Sequence, residues 1–213
     1  MAVIHRAELA PSKLELITDW IGAQPWWRSG TPEGLKNLGA YRFDDPAGAV
    51  GIQSVLVGAA DGTLYQVPLT YRAAPLEGAE SSLLGTAEHS VLGTRWVYDA
   101  AGDPVAVTAF ANAVLAAAPQ AHEYLQGPDG TSTERPRTVI VTGTGGTGPV
   151  PDVTAVSQLV TTSDDETTTV TAPSFGLVIH RRPGAVEAPS GSVLIGSVRG
   201  TAEPFLLAAA APR

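Results

Sequence analysis

Residues 138–148 carry the pattern in this sequence that most resembles a nucleotide-binding loop. The run reads Thr-Val-Ile-Val-Thr-Gly-Thr-Gly-Gly-Thr-Gly, an apolar strand that leads into glycines. Such a loop needs a helix N-terminus directly after the glycines, because backbone N–H groups there bind the pyrophosphate. Pro149, Pro151 and a strand-like pattern follow instead, and no Gly-Lys-Ser/Thr sequence is present. We therefore interpret the run as a turn between strands and expect no cofactor.

Histidine spacing and the lack of cysteine bear on metal binding. The chain has no cysteine, which rules out thiolate ligands, disulfides and cysteine nucleophiles. No two histidines lie three or four residues apart, as the paired ligands of a local zinc motif would. The four are His5, His89, His122 and His180. We expect no metal site, and we expect packing or surface hydrogen bonds at each histidine.

Hydrolytic and acid–base chemistry also lack a sequence signature. No Gly-x-Ser-x-Gly elbow is present. Asp44-Asp45 and Asp164-Asp165-Glu166 could act as acid and base in a cleft. Both groups fall in predicted turns, where such side chains bond local backbone and water. The sequence therefore predicts no catalytic residue.

All four tryptophans, Trp20, Trp26, Trp27 and Trp96, lie in the first half of the chain. Tryptophans more often bury large apolar area in a core than stack on sugar rings. Trp26-Trp27 is the better contact candidate, since adjacent residues cannot both face one core unless their segment is irregular.

Composition places the chain among globular proteins. It has 213 residues, 44% hydrophobic and 16% charged, with a formal net charge of -8. Its 13 lysines and arginines are scattered, which disfavours a nucleic-acid surface. The chain contains neither a long apolar span nor a signal-peptide pattern. We expect a cytoplasmic protein with no membrane or nucleic-acid partner.

The first 126 residues are predicted to form a helix, antiparallel strands and a second helix. Ser12 and Glu15 make a capping box for the first helix, which Gly22 and Pro25 end. The second helix is predicted over 104–118. Three strands between them are predicted over 37–44, 49–58 and 63–71. The close spacing of turns indicates an antiparallel meander.

Residues 127–136 are polar and rich in turn-forming residues, and we interpret them as a linker or long loop. Thr and Val dominate the region 137–213 that follows. Strands are predicted there over 138–142, 153–161, 167–171, 176–181, 192–199 and 204–210. The fold class is therefore α+β, with a β-rich C-terminal half that either forms a separate unit or completes the same domain as 1–126.

The segment 16–27, Leu-Ile-Thr-Asp-Trp-Ile-Gly-Ala-Gln-Pro-Trp-Trp, resembles the opening of the N-terminal cap domain of maltokinases. In that family a short helix leads into meandering strands, which residues 49–71 resemble. Residues 89–98, with Asp99 and Asp103-Pro104-Val105 after them, are similar to stand-alone actinobacterial proteins that carry a maltokinase N-terminal cap-like domain. The resemblance covers roughly residues 10–125.

Full-length maltokinases continue into a kinase domain with metal-binding carboxylates in a His-Gly-Asp-type loop. Nothing in this sequence matches that loop, and phosphoryl transfer needs such groups. The resemblance therefore carries over no catalytic residue. It implies a curved antiparallel sheet with helices packed on it, similar to cystatins. It also implies an association with maltose, trehalose and glycogen metabolism, by analogy of fold.

Three functions follow as hypotheses. The first is a non-catalytic protein that binds a carbohydrate or a protein of glycogen or trehalose metabolism. Its candidate contact residues are Trp26, Trp27, His89, Arg95 and Trp96. The second is a small enzyme of carbohydrate metabolism at the junction of the two halves. Its site would combine His89, Arg95, His180 and Arg181 with Asp99 or Asp103. The third is a self-associating module, such as a homodimer, that pairs through exposed strand edges.

Overall fold

The computed structural model describes residues 2–4, 9–126, 131–146, 148–186, 191–200 and 203–213. Within these residues the chain forms two α-helices and three β-sheets, which confirms the predicted α+β class. His5 and residues 127–130, the first part of the predicted linker, lie outside the described residues. Neither helix is long and apolar enough to cross a membrane.

Helix α1 spans Lys13–Ile21 and begins at the predicted capping box. The backbone N–H of Glu15 donates to Oγ of Ser12 at 3.3 Å, and the Ser12 N–H donates to Oε2 of Glu15 at 2.7 Å. These two bonds satisfy N–H groups that have no partner inside the helix. The apolar spacing then places Leu16, Ile17 and Ile21 on one buried face.

The strands form two large antiparallel sheets and one small sheet. In chain order they are β1 Ala2–Ile4, β2 Leu9–Ala10, β3 Lys36–Phe43, β4 Gly51–Gly58, β5 Leu64–Arg72, β6 Leu83–His89, β7 Gly93–Asp99, β8 Glu123–Gln126, β9 Ser132–Glu134, β10 Val139–Gly143, β11 Val160–Ser163, β12 Thr167–Thr171, β13 Phe175–His180, β14 Ser192–Val198 and β15 Phe205–Pro212. The first sheet has the order β2-β6-β7-β5-β4-β3, and the second has the order β10-β14-β15-β13-β12-β11. The small sheet has the order β1-β8-β9, and β1 pairs with β8 in parallel.

Two apolar clusters cover opposite faces of the first sheet. Helix α1 and the tryptophan segment pack on one face, against side chains such as Val55, Val67 and Leu69. The other face, with Tyr41 and Phe43 among its side chains, packs against helix α2 (Pro104–Leu115) and the second sheet. Strand alternation places neighbouring residues on opposite faces, so this sheet is buried on both sides.

Three segments differ from the sequence-based prediction. Helix α2 ends at Leu115 rather than at residue 118, because Ala117 adopts a left-handed conformation with φ 51° and turns the chain. The strand predicted over 153–161 is a 3-10 turn, Val156–Gln158, followed by β11. Within the predicted linker, residues 132–134 form β9, which pairs with β8.

Gln66 on β5 joins the two large sheets by hydrogen bonds. Its side chain is fully buried, and Nε2 donates to the carbonyl oxygens of His180 at 3.0 Å and Leu207 at 2.9 Å. Its Oε1 accepts hydrogen bonds from the hydroxyls of Tyr41 at 2.6 Å and Ser54 at 3.3 Å. One amide therefore satisfies polar groups of both sheets inside the core.

We expect Gln66→Leu to lower the free energy of unfolding by about 2–4 kcal/mol. The apolar side chain would leave the buried carbonyls of His180 and Leu207 without a donor. Urea denaturation measures the change. Gln24→Leu is the matched control, because that amide makes one hydrogen bond at the end of α1 and its loss should cost under about 1 kcal/mol. Equal losses in the two variants would contradict the prediction.

Candidate functional site

Trp26 and Trp27 lie in the irregular segment between α1 and β3, and both are buried, at 1% and 8% exposure. Their rings pack on Tyr65, with centroid separations of 6.0 Å and 4.7 Å. Trp27 Nε1 donates to the carbonyl of Gly30 at 2.6 Å. Ligand contact by these two residues stays a prediction, and neither ring offers the open face that stacking on a sugar requires.

The other three contact candidates lie on the hairpin of β6 and β7. Nδ1 of His89 accepts the backbone N–H groups of Val91 and Leu92, which closes the hairpin turn. Arg95 donates from Nη2 to the carbonyl of Leu92 at 2.8 Å. Trp96 is half-buried further along β7. This hairpin tip is partly apolar and open to solvent, since Val91 is 56% and Leu92 50% exposed.

The five candidates do not form one site. Trp26 and Trp27 contact Tyr65 near the start of β5, whereas Trp96 pairs with Arg72 at its end. Those two positions on β5 are seven residues apart, or about 23 Å at the rise of an extended strand. The hairpin tip and the tryptophan pair are therefore separate features.

Arg181 and Asp99, both members of the proposed junction site, do meet. Arg181 is fully buried, and its Nη2 donates to Oδ2 of Asp99 at 2.6 Å. Its Nε donates to Thr168 Oγ1 at 2.7 Å, and the guanidinium lies 5.2 Å from the Trp26 ring centroid. The remaining nitrogen, Nη1, has no hydrogen-bond partner among the described residues. The guanidinium is held in the core by a carboxylate, a hydroxyl and an aromatic face.

Asp103 has a structural partner as well. Its two carboxylate oxygens accept from Nε and Nη2 of Arg72, each at 2.7 Å. Oδ1 also accepts the N–H of Val105 and so caps α2. The carboxylate is fully buried, so it is bound in a bidentate ion pair at a helix start and is closed to a substrate.

The junction constellation is not assembled around His89. His89 pairs with Gly93 at the hairpin tip, and Asp99 lies at the other end of β7. Six residues of extended strand separate Gly93 from Asp99, which is about 20 Å. No group of three or more potential metal ligands occurs in the described parts of the chain.

The glycine-rich run after β10 contacts the C-terminus of α2. Gly145 N–H donates to the carbonyl of Val114 at 2.9 Å. A Cβ at Gly143 or Gly145 would collide with carbonyl oxygens of the last helical turn, so these glycines permit a close backbone approach. A helix C-terminus is the negative end of the dipole, which repels phosphate. Apart from Thr147, which lies outside the described residues, the run is the inter-strand turn that the sequence predicted.

A polar cleft of about 340 Å³ opens on the α1 side of the first sheet, beside the β8–β9 ribbon. We call it the cationic cleft. Its charged lining residues are Lys13, Glu123, Arg135 and Arg137, and its neutral lining includes Gln53, Gln120, Asn37 and Thr138. The start of α1, strands β3 and β4, and the chain on either side of the ribbon position these groups.

Cations outnumber carboxylates in the cationic cleft. Oε1 of Glu123 lies 3.6 Å from Nε of Arg42, and Oε2 lies 3.6 Å from Nη1 of Arg135. Lys13 has its Nζ 5.8 Å from the centroid of the Tyr71 ring. Burial, and then the positive charge of Arg42, lower the pKa of Lys13 to about 8, although Glu123 opposes this shift. The single carboxylate of Glu123 thus faces three neighbouring cations, Lys13, Arg42 and Arg135.

Sequence reasoning missed the cationic cleft because its residues come from distant parts of the chain. Lys13, Arg42 and Arg135 look like scattered surface charges in a sequence of net charge -8. Gln120 ties the chain before β8 to β10, since its amide donates to the carbonyl of Val139 and accepts the N–H of Val141. The Arg-Pro-Arg run at 135–137 is the one local signal, and it is short.

We expect Asp99→Ala to cost about 3–5 kcal/mol of unfolding free energy, because it leaves the Arg181 charge buried without a counter-ion. The double variant Asp99→Leu with Arg181→Met removes both charges. We expect it to regain most of that loss. A double-mutant cycle by denaturant unfolding measures the coupling. A loss below about 1 kcal/mol in the single variant would show that solvent reaches the guanidinium.

Residues 20–103 match the family model described as the maltokinase N-terminal cap domain. This match runs from the end of α1 through β3–β7 to Asp103, the residue that caps α2. Among curated proteins, none matches the chain. The match confirms the resemblance drawn from the sequence over residues 20–103, which we call the cap segment.

Proposed function

We propose that this protein is a non-catalytic, cytoplasmic binding protein that serves maltose, trehalose and glycogen metabolism. The observation that carries the proposal is the maltokinase N-terminal cap match over residues 20–103. In this chain the segment continues into α2 and a β-rich half that packs against it. By analogy with the family, a cap segment that is packed against α2 and a β-rich half is suited to contact another protein or a carbohydrate.

The hairpin tip of β6 and β7 is the surface of the matched segment that best supports such a contact. It holds two predicted contact residues, His89 and Arg95, next to the exposed side chains of Val91 and Leu92. Apolar side chains beside a cation and an imidazole are typical of protein interfaces. The proposed partner is an enzyme that acts on maltose, trehalose or glycogen.

Affinity capture from cells that express a tagged copy tests the proposal. We expect the wild-type protein to capture an enzyme of this metabolism, identified by mass spectrometry. Leu92→Glu should abolish the capture, because it places a charge in the apolar contact. Val160→Glu is the matched control, since Val160 is 63% exposed on β11 and lies outside residues 20–103.

A carbohydrate partner is tested in parallel by calorimetric titration with maltose, trehalose and glycogen. The proposal is overturned if no enzyme of this metabolism is captured and none of the three carbohydrates binds. Equal loss of capture in Leu92→Glu and Val160→Glu would show that the contact does not lie at the hairpin tip.

A further inference from the structure

The cationic cleft has an electrostatic arrangement that the cap family match does not explain. Lys13, Arg135 and Arg137 line it, Arg42 borders it, and Glu123 is the carboxylate among its lining residues. Nη2 of Arg137 lies 3.1 Å from Nε2 of His122. The surplus of positive charge is partly shielded from water, so it attracts an anion more strongly than an open surface would.

Arg137 has an indirect acidic neighbour that limits its contribution. Nδ1 of His122 lies 2.7 Å from Oε1 of Glu134, and both side chains are more than half exposed. When Nδ1 donates to Glu134, Nε2 is left to accept from Arg137. The pair therefore orients the Arg137 guanidinium. The unbalanced charge comes mainly from Lys13, Arg42 and Arg135, which share the carboxylate of Glu123.

Gln53, which lines the same cleft, has an unpartnered amide oxygen. Gln53 is 5% exposed, and its Oε1 is buried without a hydrogen-bond partner among the described residues. Its neighbour across the β3–β4 pair, Arg42, has a buried Nε that lies 3.6 Å from Oε1 of Glu123 and makes no hydrogen bond to a described residue. Buried polar atoms without a hydrogen bond lower the stability of the folded state unless a ligand or water bonds to them. The acceptor Oε1 of Gln53 lies beside the donor Nε of Arg42. A ligand that carries both a hydroxyl group and an anionic oxygen would suit this pair.

We propose that the cationic cleft binds a small phosphate monoester that also carries hydroxyl groups. The dianion would lie between Lys13 and Arg135, and a hydroxyl would donate to Oε1 of Gln53. Guanidinium and ammonium groups make their strongest hydrogen bonds to phosphate and carboxylate oxygens. A monoester carries nearly two negative charges at neutral pH, which balances this surplus better than one carboxylate does.

The size of the cleft and the charge of the chain narrow the ligand further. A volume of about 340 Å³ is at the small end for ligand sites, and it suits a molecule of monosaccharide size. The net charge of -8 repels nucleic acids and anionic membranes, which present phosphates over a large surface. A soluble metabolite can enter the cleft without meeting the rest of the acidic surface.

Calorimetric titration of the full chain tests the proposal with glycerol 3-phosphate, glucose 6-phosphate and inorganic phosphate. We expect both monoesters to bind more tightly than inorganic phosphate, and neutral glycerol and glucose not to bind. Arg135→Gln should weaken monoester binding at least about tenfold. Arg213→Gln is the matched control, because it removes the same charge from an exposed side chain that does not line the cleft and should leave affinity unchanged.

Gln53→Leu tests the hydroxyl contact separately. It should remove the preference for monoesters over inorganic phosphate while it leaves phosphate affinity near wild type. The substitution removes an unpartnered polar atom, so we expect the thermal transition of the folded protein to be kept.

Affinity should also fall as pH rises from 7 to 9. Lys13, which faces Arg42, Glu123, Arg135 and the Tyr71 ring, loses its proton near pH 8, whereas the monoester stays a dianion. Below that pH the ammonium is charged and contributes to binding, and above it the contribution is lost. Unchanged affinity over this range would overturn the placement of the dianion beside Lys13.

Three results would overturn the site itself. They are equal binding of glucose and its phosphate, equal losses in Arg135→Gln and Arg213→Gln, and binding to vesicles of phosphatidylcholine and phosphatidic acid without binding of the soluble monoesters. The proposal does not depend on the partner enzyme. Monoester binding with neither capture of an enzyme nor binding of maltose, trehalose or glycogen supports the cleft and overturns the proposed function. Capture of such an enzyme without monoester binding supports the proposed function and overturns the cleft.

Discussion

The burial of a single guanidinium, that of Arg181, sets how the two large sheets meet. β7 pairs with β5 only from Leu69 to Arg72. The backbone groups on this edge of β5 before Leu69 therefore need other hydrogen-bond partners. The carbonyl of Arg181 accepts the N–H of Gln66 there at 2.9 Å, and its side chain bonds to Asp99. Because a buried charge without these partners would be costly, the chain after β13 has to meet the first sheet at this point. Gln66 then fixes the second sheet through two further carbonyls.

This junction determines which surfaces of the cap segment remain open. The face of the first sheet that carries Tyr41 and Phe43 is covered by α2 and the second sheet, and the opposite face is largely covered by α1 and the tryptophans. The cap segment is therefore enclosed by its own chain on both faces. The β6–β7 tip and the margin beside β3, where the cationic cleft lies, are among the parts that stay open.

The two open surfaces suit different partners. The tip presents apolar side chains and forms its own turn by local hydrogen bonds, which favours contact with a protein. The cationic cleft presents charges and an unpartnered amide in a small volume, which favours a small anion.

Local patterns in the sequence determined the elements, and tertiary contacts decided the sites. The capping box of Ser12 and Glu15 and the strand alternation act between near neighbours, so α1 and β3–β5 were predictable. The cap resemblance was predictable for the same reason, since it rests on contiguous segments. The end of α2 was not, because the chain turns at Ala117 and the glycines after β10 pack on the last helical turn. The burial of Trp26-Trp27, the ion pair of Arg181 with Asp99 and the meeting of Lys13 with Arg135 depend on long-range packing. Such contacts join residues far apart in the chain, and no single segment of the sequence encodes them.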